Sequence, residues 1–166
     1  MKKLLLSASI LFCVVFLAQA QPKPSPPAEV TAKVNGTDVT INYSQPAVKG
    51  RSIWGDLVPY DAVWRAGANE ATWIEVSEDV EIEGQTLKAG KYSIFAIPGK
   101  EEWTIIFNST WEQWGAYEYD ESKDALRVTV KSASIPAANE RLTYNINKNG
   151  NVDLIWDKLK VTFKIG

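Results

Sequence analysis

The sequence predicts an all-β domain, an antiparallel β-sandwich or jelly roll of about nine or ten short strands. Period-two alternation of apolar and polar residues recurs from residue 30 to residue 165, and turn signals with Gly or Asn separate the alternating runs. No stretch of the domain carries a convincing amphipathic-helix pattern. Polar residues on one face of most strands favour antiparallel pairing, and a closed barrel stays open as the alternative architecture.

The first twenty residues have the pattern of an export signal. Lys2 and Lys3 precede a mostly apolar run that ends at Leu17, and Ala18-Gln19-Ala20 forms an A-x-A cleavage site. The apolar run is short for a membrane span, and Cys13 within it lacks the small preceding residue of a lipobox. We therefore expect a signal peptide at residues 1–20 and a periplasmic or extracellular mature chain without a transmembrane span.

The mature chain is expected to begin with a Pro-rich leader, residues 21–27, that is extended and exposed and is followed by a single domain, residues 28–166. Its net charge is −4, from 16 basic residues (18 less Lys2 and Lys3) against 20 acidic ones. An acidic chain without basic runs is a poor binder of nucleic acid. The mature chain contains no Cys and no His, so we expect no disulfide and no zinc site. An all-oxygen calcium site stays possible, but no D-x-[DN]-x-[DN]-G loop is present, and we expect no metal and no cofactor.

Alternating residues predict the first strands around residues 30–34 and 39–43, joined by a tight hairpin turn at Asn35-Gly36. Pro46 ends the second strand because proline has no N–H to donate to a ladder. Shorter alternating runs follow at residues 73–76 and 80–83.

Two near-continuous apolar runs, residues 92–97 and 103–107, come next. Such runs are typical of central strands that are covered on both faces. The alternative is that one of them lies at a sheet edge and forms an interface.

The last third of the chain predicts further strands at residues 126–130, 142–146, 152–156 and 159–165. Ser132 to Asn139, which contains Pro136, is expected to be a connection between strands. Asn149-Gly150 predicts a type I′ hairpin turn. We also expect Phe95 and Trp156 to lie in the core.

Two segments have many aromatic residues in a loop-like composition. Loop A, residues 49–72, contains two Trp, two Arg, two Asp, one Glu, one Tyr and three Gly. Loop B, residues 108–123, places Trp111, Trp114, Tyr117 and Tyr119 among small polar residues. Long loops on a rigid scaffold often carry function, so these two loops are where we expect a site.

Loop A has the pattern KGRxIWGxLVPYxxVWRxGANEAT, and the stretches at residues 89–95 and 97–104 accompany it. With these motifs the chain resembles a domain-of-unknown-function (DUF) family of uncharacterised exported bacterial proteins. The resemblance covers nearly all of the mature chain. It implies an exported β-rich domain, and it implies no catalytic residue.

The leading hypothesis for function is a ligand- or glycan-binding module, because aromatic faces beside polar groups can stack on sugar rings and bond their hydroxyls. The competing interpretation is that the Trp residues are core or loop anchors. We expect Arg65 and Glu70 to share a polar network close to Trp64. The candidate binding residues are Arg51, Trp54, Tyr60, Trp64, Arg65, Asn69, Glu70, Trp111, Trp114 and Tyr117.

Two other function classes stay open. A hydrolase could use carboxylates such as Asp61, Glu70 and Glu75, since glycoside cleavage needs two facing carboxyl groups. The sequence contains no G-x-S-x-G or S-x-x-K nucleophile motif and no His or Cys in the mature chain, which argues against an enzyme. A structural or partner-binding envelope protein is the third possibility.

Overall fold

The computed structural model describes residues 23–166, so the expected signal peptide lies outside the described residues. Seven strands form one antiparallel sheet in the order β1-β2-β3-β6-β7-β8-β9, and β4 pairs with β5 in a separate hairpin. Across residues 23–166 the regular structure is β apart from one short 3-10 turn, Glu121–Lys123, and no helix there has the length and apolarity to cross a membrane. The strands are β1 (Pro27–Val34), β2 (Thr37–Ser44), β3 (Trp73–Val76), β4 (Val80–Ile82), β5 (Gln85–Leu87), β6 (Gly90–Pro98), β7 (Glu102–Asn108), β8 (Asp124–Ile146) and β9 (Asn151–Lys164).

The seven-stranded sheet curls, so that the chain leaving β2 meets the far half of β8. Ala47 pairs with Arg141 there, and the N–H of Val48 donates to the carbonyl of Glu140 at 2.8 Å. The N–H of Leu142 donates to the carbonyl of Pro46 at 3.0 Å on the other side of this pair. The predicted all-β, antiparallel class is confirmed, and its interior is the concave side of the curled sheet.

The two predicted hairpin turns differ. Asn35 and Gly36 both have positive φ, 49° and 95°, as a two-residue type I′ turn requires. Gly150 has φ 88°, but Asn149 does not lie in that region, and Ile146 pairs with Val152. The predicted type I′ turn is therefore wrong, because the connection between Ile146 and Val152 is longer than the two residues of such a turn. Gly150 is required there, since a Cβ would lie 2.0 Å from the Ile165 carbonyl oxygen.

The expected connection at residues 132–139 is also wrong, because this segment lies inside β8. The first part of β8 pairs with β7 and the second part pairs with β9. Register shifts on either side of Asn139 lie within the pairing with β9, after the change of partner between Lys131 and Ser132, and Pro136 lies in the first shifted stretch. Proline is tolerated at such an irregularity because no ladder N–H is needed. Opposite Asn139, Asp157 has φ 52°, and β9 runs through this position as one strand.

The main core holds a cluster of four tryptophans, Trp54, Trp64, Trp103 and Trp156. Each of the two loop A tryptophans contacts the other three rings, with centroids 5.1 to 6.2 Å apart. Trp103 and Trp156 are fully buried, while the two tryptophans from loop A are partly buried against them. Loop A therefore closes one part of the core with its own aromatic side chains.

Strands β6 and β7 are buried on both faces, as the continuous apolar runs predict. Both lie inside the sheet order, and Ile94 and Ile105 point into the main core. Phe95 and Ile106 form a second cluster, which Val63 and Ala71 of loop A and Ala116 and Tyr119 of loop B cover. Parts of both loops thus cover the outer face of the sheet, while Trp54 and Trp64 of loop A pack against the main core.

The second cluster generates a stability prediction. Phe95 is fully buried, so we expect Phe95→Ala to lower the free energy of unfolding by about 3–5 kcal/mol through lost burial and the cavity left behind. Urea unfolding of both proteins measures this change. Leu57→Ala is the control, because Leu57 is exposed and its loss should cost less than about 1 kcal/mol. Equal stabilities for the two variants would contradict the burial of Phe95.

Candidate functional site

Loop A returns to the sheet just before β3 begins and runs beside β6 beyond the residues that pair with β3. Trp64 and Ala96 exchange two backbone hydrogen bonds of 2.8 Å, and the N–H of Ile94 donates to the carbonyl of Thr72 at 2.7 Å. Residues 65–71 leave the sheet between these two attachments. They form a projection whose base is fixed on both sides.

The projection has a strained backbone that its surroundings hold in place. Ala66 and Asn69 have φ values of 51° and 59°, which side chains other than Gly rarely adopt. The Ala66 carbonyl accepts hydrogen bonds from the hydroxyls of Thr72 at 3.1 Å and Tyr144 at 2.9 Å. Gly67 must lack a side chain, because a Cβ would lie 2.6 Å from Thr72 Oγ1. Strain of this kind at a defined loop is often associated with function.

Loop B is held by a network around Asp124. Its Oδ2 accepts from the Tyr119 hydroxyl at 2.7 Å and from Arg127 Nε at 2.6 Å, and its Oδ1 accepts from Asn108 Nδ2 at 2.7 Å. Arg127 also donates to the Tyr119 hydroxyl at 2.6 Å. Burial is the largest cause that raises the pKa of Tyr119 to about 12, and its bond to Asp124 adds to it. The network fixes the end of loop B against the sheet.

The two loops are hydrogen-bonded to each other in a short ladder. The N–H of Ala71 donates to the carbonyl of Gln113 at 3.0 Å, and the N–H of Gly115 donates to the carbonyl of Asn69 at 3.1 Å. Glu70 and Trp114 lie directly opposite each other between these bonds. This loop ladder brings the candidate residues of both loops to one region of the surface.

On one side of the loop ladder lies a groove of about 630 Å³, here called the acidic groove. Trp73, Trp111 and Trp114 line it, and Asn42, Ser44 and Gln113 add polar groups. Its charged lining residues are Lys23, Glu70, Glu112 and Glu118, so negative charge prevails. Glu70 and Lys23 form an exposed ion pair at 3.6 Å.

Lys91 holds two of the groove's indoles in place. Its Nζ lies 3.5 Å from the ring centroid of Trp73 and 3.9 Å from that of Trp111. An ammonium over an aromatic face is attracted by the ring's charge distribution. Part of the aromatic surface of Trp73 and Trp111 is therefore already in contact with Lys91, whereas Trp114 is 58% exposed.

On the other side of the loop ladder lies a smaller cavity of about 270 Å³, here called the arginine pocket. Arg51 and Arg65 line it together with Trp64, Asn69 and Trp156. Arg51 donates to the carbonyls of Ala47 and Val48. Burial lowers the pKa of Arg65 from its ordinary value.

The described part of the expected leader lies against both sites. Lys23 lines the acidic groove and Ser25 lines the arginine pocket. The Ser25 carbonyl accepts a hydrogen bond from Asn69 Nδ2 at 3.1 Å, and the same amide reaches Ser44 Oγ at 3.2 Å. Residues 23–26 are thus attached to the domain at the boundary between the groove and the pocket.

The ten candidate residues fall into three groups. Glu70, Trp111 and Trp114 line the acidic groove, and Arg51, Trp64, Arg65 and Asn69 line the arginine pocket. The other three lie apart from both linings: Trp54 in the tryptophan cluster, Tyr60 next to Gly55, and Tyr117, which is 85% exposed.

Two sequence expectations about charged groups are not met. No hydrogen bond or ion pair joins Arg65 to Glu70 in residues 23–166, so the expected network is wrong: Glu70 faces Lys23 on the other side of the loop ladder. Asp61 and Glu75 do not line the acidic groove with Glu70. Within the same residues, no group of three or more acidic side chains is placed to hold a metal ion.

Sequence reasoning missed several groove residues. Trp73 is the most prominent, and its signal was available, since it alternates with the buried Ile74 on β3 and so points to the outer face. Gln113, Glu112 and Glu118 lie in loop B, where no periodicity indicates direction. Asn42 lies on β2, and its place in the groove depends on long-range pairing.

Residues 25–165 match the model of a family described as Protein of unknown function (DUF2911), and the chain belongs to this family. The match confirms the resemblance to a domain-of-unknown-function family without singling out the motif of loop A. No curated protein and no solved structure matches the chain.

The Asp124 network predicts a loss of stability at high pH. Tyr119 has a pKa of about 12 in the folded protein, above its ordinary value of 10.0. The unfolded chain therefore loses this proton first, and stability present below pH 10 falls as the pH rises towards 12. Tyr144, whose pKa is raised by burial, contributes in the same direction.

Chemical denaturation at several pH values between 10 and 12 separates the two tyrosines. Tyr119→Phe removes one titrating group, so we expect its stability to fall less steeply with pH than that of the parent protein. Identical slopes would show that the Tyr119 hydroxyl titrates alike in the folded and unfolded states.

Proposed function

We propose that the protein is an exported ligand-binding module of the periplasm or cell envelope, and that its acidic groove binds a glycan. The observation that carries the proposal is the exposure of Trp114. This indole is 58% exposed at the wall of a groove with two further tryptophans. A large exposed apolar side chain in a concave site is typical of a surface that meets a ligand.

The size and lining of the acidic groove suit a sugar chain of a few residues. Its volume of about 630 Å³ lies within the range of small-molecule sites. Indole faces can stack on the C–H faces of sugar rings, and neighbouring carboxylates and amides can bond the hydroxyls. Asn42, Ser44 and Gln113 supply such polar groups beside the tryptophans.

The hydrogen bonds around Gln113 add a specific acceptor. Its Nε2 donates to the Thr110 carbonyl at 2.6 Å, while its buried Oε1 has no hydrogen-bond partner in residues 23–166. An unsatisfied buried acceptor costs free energy in the ligand-free protein. We propose that ligand binding shifts this side chain, so that a ligand hydroxyl donates to the oxygen and recovers that cost.

Charge narrows the class of glycan. Within residues 23–166, Glu70, Glu112 and Glu118 line the groove, and the cations beside them are Lys23 and Lys91, so the carboxylates outnumber the cations. Carboxylates accept hydrogen bonds from sugar hydroxyls and repel acidic sugars. The proposed ligand is therefore neutral or carries amino groups.

Preorganisation supports a binding role for the same groove. Lys91 lies over both Trp73 and Trp111, and the loop ladder fixes Trp114 opposite Glu70. Side chains that are already ordered lose less conformational entropy when a ligand binds. Trp114 then supplies the free aromatic face on a prearranged surface.

The alternative to a binding module is a hydrolase, which the carboxylates of the acidic groove favour. Three carboxylates line one groove of ligand size, and Glu70 belongs to loop A. Glycoside hydrolysis needs a facing pair of such groups. Product analysis of every oligosaccharide that binds separates the two functions, since released sugar would establish an enzyme and unchanged oligosaccharide a binding module.

A panel of neutral, amino and acidic oligosaccharides tests the proposal by thermal shift and calorimetry. We expect neutral or amino sugars to raise the melting temperature, since a ligand that binds only the folded state stabilises it. Trp114→Ala should weaken binding at least about tenfold, the scale of losing a central aromatic contact. Its effect on stability should be below about 1 kcal/mol because the side chain is exposed.

Tyr117→Ala is the matched control, since it removes an exposed aromatic of loop B that does not line the groove. It should bind as the parent protein does. Equal binding by Trp114→Ala and the parent would contradict the groove as the site. A panel without any response would contradict the glycan proposal and favour a structural or partner-binding envelope protein.

A further inference from the structure

The arginine pocket contains a charge that the described protein does not neutralise. Arg65 is half-buried, and no ion pair or side-chain hydrogen bond within residues 23–166 involves it. Its Nε is buried and has no hydrogen-bond partner there. Burying a charge without a partner is unfavourable, so buried charges are normally paired. The unpaired guanidinium of Arg65 therefore lowers the stability of the folded protein.

The surroundings of Arg65 do not supply the missing anion. Among residues 23–166, the cavity lining contains no Asp or Glu, whereas Arg51 adds a second guanidinium. Residues 1–22 contain no Asp or Glu either, so that part of the chain cannot provide a carboxylate side chain. The pocket is positively charged, in contrast to the acidic groove across the loop ladder.

Other residues with N–H groups that are unpaired within the described chain also line the cavity. Trp156, only 1% exposed, lines it, and the indole N–H of Trp156 has no hydrogen-bond partner in residues 23–166. Gly67 and Ala68 also line it, and their backbone N–H groups donate to no other residue of the described chain. They follow Ala66, whose φ of 51° turns the backbone at this point. Consecutive free N–H groups at such a turn are typical of anion-binding backbone.

We propose that the arginine pocket binds the carboxylate or phosphate group of a small molecule, with Arg65 as the principal ligand. A guanidinium offers parallel N–H donors that match the two oxygens of either group. Arg51, held by the carbonyls of Ala47 and Val48, lies at the same cavity and adds a second positive charge. The cavity, about 270 Å³, suits a small anion better than a polymer.

The acidic groove and the arginine pocket favour ligands of different charge. The acidic groove repels anions, and the Asn69–Ser25 and Asn69–Ser44 hydrogen bonds lie at the boundary between the groove and the pocket. The anion site does not rest on the proposed glycan site. Each can therefore fail in experiment without the other.

The test uses the purified protein expressed from the full-length sequence. Two probes, inorganic phosphate and acetate, are titrated separately, and sodium chloride keeps the ionic strength constant. Binding is followed by melting temperature and by tryptophan fluorescence, because Trp64 and Trp156 line the pocket. We expect a saturable response to at least one probe. Arg65→Gln should weaken it at least about tenfold, the scale of losing hydrogen bonds to a charged group. Arg51→Gln should weaken it less.

Lys100→Gln is the control for charge, since it removes one exposed cation at a turn away from the pocket. It should bind phosphate and acetate as the parent protein does, and so should Trp114→Ala of the acidic groove. Without probe, Arg65→Gln should melt at the parent temperature or above it, because it removes an unpaired, partly buried charge.

The proposal is overturned if neither probe gives a saturable response, or if Arg65→Gln binds as tightly as the parent. Should Arg65→Gln fail to fold, Arg65→Lys decides, because it keeps the charge and loses the planar fork. Weaker binding by Arg65→Lys supports the site, and unchanged affinity overturns it.

Discussion

The arrangement of this protein depends on burying both faces of β6 and β7. Their inner faces join the main core, and their outer faces carry Phe95 and Ile106. Each such side chain stabilises the fold by about 1.5–3 kcal/mol when it is removed from water. Within the part of the chain that the structure describes, no second sheet packs on this face, and loops A and B cover it instead. Burial of the outer-face side chains therefore holds loops A and B at the surface where we propose the two binding sites.

Two loops that cover one apolar patch must also satisfy their own backbone groups. Buried N–H and C=O groups need partners, and here the loops supply them to each other through the loop ladder. Successive residues of a strand-like segment face opposite sides. Asn69 accordingly lines the arginine pocket and Glu70 lines the acidic groove. Two sites of opposite charge thus lie back to back along one short segment.

Local patterns in the sequence predicted much of the fold. Period-two alternation located the strands, and the continuous runs at residues 92–97 and 103–107 correctly indicated central strands. β8 was not predictable as one strand, because its continuity comes from a change of partner between β7 and β9. A proline and small polar residues in that stretch suggest a loop unless the distant partner is known.

The site was predictable only in part, since composition does not show which way a side chain points. Loops A and B were identified as candidates, but Trp54 packs inside the core while Trp114 is exposed. Arg65 and Glu70 are close in sequence, yet the loop ladder separates them onto different sites. The ladder joins residues more than 40 positions apart, and no local motif encodes it.

Amide hydrogen exchange at Ala71 and Gly115 is the most direct test of this account, because their N–H groups form the two bonds of the loop ladder. Hydrogen-bonded amides exchange only when the structure around them opens. We predict slow exchange at both amides, with similar protection, since opening the ladder exposes them together. Rapid exchange at both would show that the loops are not joined, and the groove and the pocket would then lack their common wall.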